Sequence, residues 1–233
     1  MIDDAVVAGG SARVEARARE VSVPERLLAW GFNVAVAVVV VQTIGHLVDW
    51  IGTGNDIVLL NADSDQSIYP WIPVVAIYTG ALALFLQGSI TPVNGFRRWL
   101  PLVLAYLSLD EMVAIHERIT SILRRLHIDI EHAREIWPVV YLPLMAATAI
   151  ALWRMSATMT PRAMRFIRVG LVFLAVAVML EVLSAKLVDA HPTAYQIEVI
   201  VEQNLELAGW TLIGAALLSY AVGNLLRPAP ADA

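Results

Sequence analysis

Apolar stretches of membrane-crossing length recur along this chain, and they limit it to few folds. Leu27–Trp50 is the first, with Trp30 and Trp50 set about one bilayer apart as interfacial anchors. Trp71–Ile90 is the second, with Pro73 in its first turn, and Trp99–Glu117 is the third. Trp137–Trp153, Val169–Val188 and a long helix over Ala194–Leu226 supply the fourth, fifth and sixth. In lipid, backbone N–H and C=O groups must be paired within the segment itself, so such stretches become helices. The sequence therefore predicts an all-α, polytopic membrane helix bundle of six transmembrane helices. Composition agrees, with 58% hydrophobic and 16% charged residues and a mean hydropathy of +0.67. Soluble domains are nearer a quarter charged.

The remaining stretches are polar and set the topology. Residues 1–26 read as a cytoplasmic tail ending near Pro24, 27–226 as the transmembrane domain and 227–233 as a short C-terminal tail. Asp3, Asp4, Glu15, Glu20 and Glu25 spoil a basic signal-peptide leader, so the first span stays as an anchor. Between the third and fourth spans, Ile119, Ile122, Leu123, Leu126 and Ile130 follow helical spacing. That pattern over Arg118–Glu135 predicts an amphipathic helix on the extracytoplasmic membrane surface. Six spans place both termini on one side, where eleven of the sixteen basic residues fall, against five opposite. By the positive-inside rule that side is the cytoplasm, and the membrane is the plasma (inner) membrane. The expected partner is the lipid bilayer, and no nucleic acid is expected. The absence of cysteine excludes disulfides and thiolate metal sites. In the 51–69 loop, Asn61, Asp63 and Asp65 imitate a calcium loop, but Gln66 stands where glycine is needed and Ile72 where glutamate is. The segment reads as a solvated loop.

Ionisable side chains inside the apolar stretches carry the functional signal. Asp110, Glu111, His116 and Glu117 close the third span, and unpaired groups there cost several kcal/mol. At 1.5 Å per residue from the cytoplasmic ends, Asp110 and Glu111 sit about 17 Å deep and Glu181 about 20 Å. His46, His116, Glu117 and Glu206 fall near 28–31 Å, roughly, with Asp49 and Glu202 somewhat higher. The groups thus gather in the outer half of the bundle. Gln42, His46 and Asp49 share one helix face, as do Asp110 and Glu117, with Glu111 and His116 turned to either side. Glu198, Glu202 and Glu206 repeat every four residues, a spacing at which like charges need a cation or a shared proton.

Inward-pointing Glu, Asp and His on facing helices are how helix bundles hold metals, and this ligand set suits zinc, iron or manganese. The sequence thus points to a divalent metal ion held by His46, Asp110, His116, Glu117, Glu202 and Glu206. Glu111 and Glu181, desolvated at mid-depth, are the candidate general acid and base for chemistry on a lipid or lipid-soluble substrate. The same residues would also serve a proton- or cation-coupled transporter or channel component. A non-catalytic subunit of a membrane complex is a third reading. The plainer alternative makes His46, Asp49, Glu198 and Glu202 wet residues at span ends. Ala215, Ser219 and Gly223 form a small-residue stripe that admits close helix approach, either from a second subunit or complex partner or from within the chain.

Overall fold

The computed structural model describes residues 3–64, 66–90, 95–115, 118, 136–184 and 191–226, whose regular structure is all helical. Its α-helices are α1 (Asp3–Thr53), α2 (Trp71–Ile90), α3 (Leu100–Val113), α4 (Ile136–Ser156), α5 (Pro161–Ser184) and α6 (Pro192–Leu225), with a short 3-10 turn at Gly95–Arg98. His116, Glu117, the expected surface helix beyond Arg118, and the 227–233 tail lie outside the described residues.

Proline marks three of the starts. Pro101, Pro161 and Pro192 open α3, α5 and α6, where the missing N–H has no helical partner to lose. Pro24 behaves otherwise. The sequence places it at the end of the polar tail, yet α1 continues through it without a break. Its carbonyl accepts a 2.9 Å hydrogen bond from Ser219 Oγ of α6. Tertiary packing there offsets what proline takes from a helix interior, about 3 kcal/mol.

Among the described residues, four helical segments are long and apolar enough to cross a membrane: Val23–Thr53 of α1, α2, Pro161–Leu183 of α5, and α6. The expected third span is shorter than its sequence suggests. It ends at Val113 because Ala114 turns left-handed, at φ 49° and ψ 51°. Its 14 residues reach only about 21 Å, against a hydrocarbon core of about 30 Å. α4 has 21 residues, of which Val140–Ser156 form an apolar helix among the residues whose side chains are described.

The centre of the bundle is α6. It packs against α1, α2 and α5, while α3 leans on α2, and α4 on α5. Leu28, Ile77, Leu104, Leu152, Ile167, Ile213 and Leu217 fill the core between them. Close approach depends on small residues. A Cβ on Gly170 would stand 2.7 Å from the Gly209 carbonyl oxygen, and one on Gly214 would collide with the Ala76 carbonyl. The Ala215, Ser219, Gly223 stripe is filled from within the chain. Ala215 faces Gly31, Ser219 bonds to Pro24, and Gly223 lies beside the Pro24 ring. The outward faces of α1 and α2 expose Trp30, Phe32, Val40, Val48, Trp71, Val75 and Phe85, an apolar surface suited to lipid contact.

The 54–70 loop folds back over one end of this bundle rather than into solvent. Gly54 and Asn55 both have positive φ after α1, and the Asn55 amide reaches back to the Asp49 carbonyl at 3.2 Å. Asp49 is fully buried, and its carboxylate accepts from the Thr53 hydroxyl and the Ile57 amide. It is therefore a loop anchor and not a wet residue at a span end. Tyr69 is buried against Gly45, and burial and the Asp49 carboxylate push its phenol pKa up. Its hydroxyl finds no hydrogen-bond partner among the described residues. Two linked outcomes follow. Tyr69→Phe should leave thermal stability unchanged or raise it by up to about 1 kcal/mol, since it removes an unsatisfied buried group. Gly45→Ala should cost roughly 1–3 kcal/mol through overpacking against that hydroxyl. The double variant should recover most of the loss, and a strictly additive cycle of thermal melts would show that the contact is not made.

Candidate functional site: an acidic cavity between four helices

A cavity of about 520 Å³ lies between α3, α4, α5 and α6, capped by the 62–64 part of the loop. It exists because α3 and α4 touch only slightly. Its lower walls are apolar, with Met145, Leu152, Leu171, Leu174 and Trp210. Its other end is acidic. Asp110 and Glu111 reach it from α3, Glu181 from α5, Glu202 and Glu206 from α6, and Asp63 from the loop. No Arg, Lys or His is among the described residues that line it.

Five of the eight site residues singled out by sequence thus border one cavity: Asp110, Glu111, Glu181, Glu202 and Glu206. Glu111 joins Asp110 there instead of facing away. Both stand in the last turn of α3, and the cavity is wide enough at that helix end to receive neighbouring positions. His116 and Glu117, the next two candidates in the chain, lie outside the described residues.

His46 stands apart. It is fully buried in α1, does not line the cavity, and both of its ring nitrogens are engaged. Nδ1 accepts from the Ala62 amide at 3.0 Å, which assigns the proton to Nε2, and that nitrogen meets Gln196 Oε1 at 3.0 Å. In this arrangement neither nitrogen has a lone pair to offer a metal. The ring pins the loop to α6 instead.

Asp110 is 5% exposed and accepts from the Tyr141 hydroxyl at 2.9 Å. Tyr141 in turn meets the Tyr106 hydroxyl at 2.6 Å, so two phenols and a carboxylate form a continuous chain. On α6, Glu198 and Glu202 are both buried and lie against each other. Neither Glu198 oxygen has another hydrogen-bond partner among the described residues. They are not the wet span-end residues of the plainer reading. Tyr195, one turn earlier, donates to the Asp63 carboxylate at 2.9 Å and so ties the loop to the cavity rim. Asp63, Tyr141 and Tyr195 are members of the site that sequence reasoning passed over. For Tyr195 a signal was present, because positions 195, 198, 202 and 206 share one helix face.

Among the described residues, no three His, Asp or Glu side chains are grouped closely enough to hold a metal ion. The carboxylates share a cavity without forming a finished coordination sphere.

The family model for a domain of unknown function, DUF8692, matches residues 32–221. The chain belongs to that family. Neither a curated protein nor a solved structure matches it. The DUF8692 match begins inside α1 and ends within α6, so it takes in every wall of the cavity. The family's domain is the helix bundle itself, with the α1 segment before Phe32 lying outside the match.

Proposed function

We propose that this is a multi-pass plasma-membrane protein whose acidic cavity binds a cation, with a divalent metal (zinc, iron or manganese) as the leading occupant. The observation that carries the reading is that six carboxylates from three helices and the loop line one cavity. Asp110, Glu202 and Glu206 are the described ligand candidates. Glu111 and Glu181 border the same cavity, where a carboxyl group can give or take a proton from a bound substrate. The apolar walls suit the hydrocarbon part of a lipid or lipid-soluble substrate. In this reading α3 and α4 complete a six-span bundle, with both termini cytoplasmic by the positive-inside count.

The test is metal analysis of protein purified without chelator. The expected result is a stoichiometric divalent metal, whose removal lowers the melting temperature. Glu202→Gln should weaken its binding by at least the 10–100-fold typical of disturbed metal sites. A protein that carries no metal and melts identically with chelator defeats the proposal. One observation favours a second reading: the Tyr106–Tyr141–Asp110 chain is a ready path for protons. Metal-free protein that moves protons across liposomes, and stops with Asp110→Asn, would establish that alternative.

A further inference from the structure

The opposite end of the bundle is basic. Arg26 of α1, Arg97 and Arg98 before α3, Arg154 of α4, and Arg162, Arg165 and Arg168 of α5 all lie there. Cross-contacts show that these ends meet. Arg97 reaches Tyr220 of α6 and Thr158 beyond α4, at 3.5 and 3.3 Å, and Arg162 pairs with Glu25 of α1 at 3.3 Å. Among the residues whose side chains are described, Glu25 is the one carboxylate at this end.

Within this end, one corner is built differently from the rest. The Arg168 guanidinium lies over the Trp153 ring, 4.5 Å from its centroid. Its Nε is buried and has no hydrogen-bond acceptor among the described residues. Arg165 stands one turn earlier on the same face of α5, and Arg154 follows Trp153 on α4; both are exposed. Immediately beyond these cations, the wall turns apolar and stays exposed, through Ile150 and Trp153 on α4 and Val169 and Val172 on α5. Three cations at a helix end, a tryptophan at the boundary and a bare apolar wall above them match both halves of one molecule.

We propose that Arg154, Arg165, Arg168 and Trp153 bind the headgroup of an anionic phospholipid, whose acyl chains lie along Ile150, Val169 and Val172. The headgroup phosphate accepts from the three guanidinium groups in the charge-assisted geometry that arginine favours. Cytoplasmic-leaflet anionic lipids are drawn to such clusters by charge, and the apolar wall selects a lipid over a free anion. The inference does not depend on the nature of the acidic cavity at the other end.

The full-length protein would be placed in nanodiscs of phosphatidylcholine alone or with phosphatidylglycerol, and melted. Phosphatidylglycerol should raise the melting temperature by about 3 °C, the shift that a modest binding energy produces in a chain of this size. Arg165→Gln with Arg168→Gln should erase the rise, and high salt should shrink it. If removal of Arg168 prevents folding, Arg154→Gln with Arg165→Gln, both at exposed positions, should still cut the rise substantially. Equal melting in the two lipids overturns the proposal. So does an undiminished rise in the variants, or an equal rise when inorganic phosphate is added to phosphatidylcholine discs.

Discussion

Gly214→Val should melt well below the wild-type protein in detergent. The Gly214 position lies against the backbone of Ala76, where even a single Cβ meets a carbonyl group that cannot rotate away. Gly80 faces the same place from α2, its own Cβ position 2.9 Å from Leu217 Cδ1, so neither helix has room to retreat. Overpacking in a filled core costs roughly 1–3 kcal/mol, and a clash with backbone on a central helix belongs at or above the upper end. A loss of about 3 kcal/mol corresponds to a fall in melting temperature of roughly 6–12 °C for a chain of this length. Gly52→Ala is the matched control, because no atom lies within 4 Å of its added Cβ. If Gly214→Val melts with the wild-type protein, α2 and α6 do not pack as described.

His46→Leu should free the loop that caps the acidic cavity. The substitution keeps the volume apolar but strands the buried Ala62 amide and leaves the part-buried Gln196 side-chain oxygen without its partner. Each orphaned group costs about 1–3 kcal/mol, so a combined loss of about 3 kcal/mol is expected. Hydrogen exchange should report it locally, with the Ala62 amide and its loop neighbours exchanging about a hundredfold faster, since each 1.4 kcal/mol is a factor of ten. The measurement also separates two roles. A loop pin speeds exchange in the metal-free protein as well, whereas the loss of a metal ligand alters exchange and stability only when metal is present.

The apolar stretches made α1, α2, α5 and α6 legible, because length and hydropathy suffice for a helix that meets lipid. The prolines that open α3, α5 and α6 were not read as starts: the fifth span was expected from Val169, yet α5 begins at Pro161, where a missing N–H is harmless. The early end of α3 was hidden, since the left-handed turn falls on Ala114 and not on the glycine that usually announces one. The loop misled in a different way. Its polar composition suggested solvation, yet Ala62 and Tyr69 are 4% and 3% exposed and pack on Val199. A polar string does not reveal which of its few apolar members turn inward. Depth along the helices gathered Asp110, Glu111, Glu181, Glu202 and Glu206 only as far as the outer half of the bundle, because rise per residue is fixed but helix starts are not. In the structure they border one cavity. Direction was harder, and His46 shows why. Helical spacing set its face but not its neighbour, and the partner it found was a backbone amide of the loop.

The break at Ala114 has an electrical consequence for the cavity. Asp110 and Glu111 stand in the last turn of α3, and Glu181 in the last turn of α5, which ends at Ser184. Both helices therefore aim their carbonyl ends at the acidic end of the cavity. A helix C-terminus carries about half an elementary negative charge, and its last four carbonyls have no partner within the helix. Had α3 run on unbroken, its negative pole would have been carried past the carboxylates and away from the cavity. Stopping short adds the backbone's own field to that of the side chains. A positive species in the cavity is thus attracted by two macrodipoles that no carboxylate substitution removes.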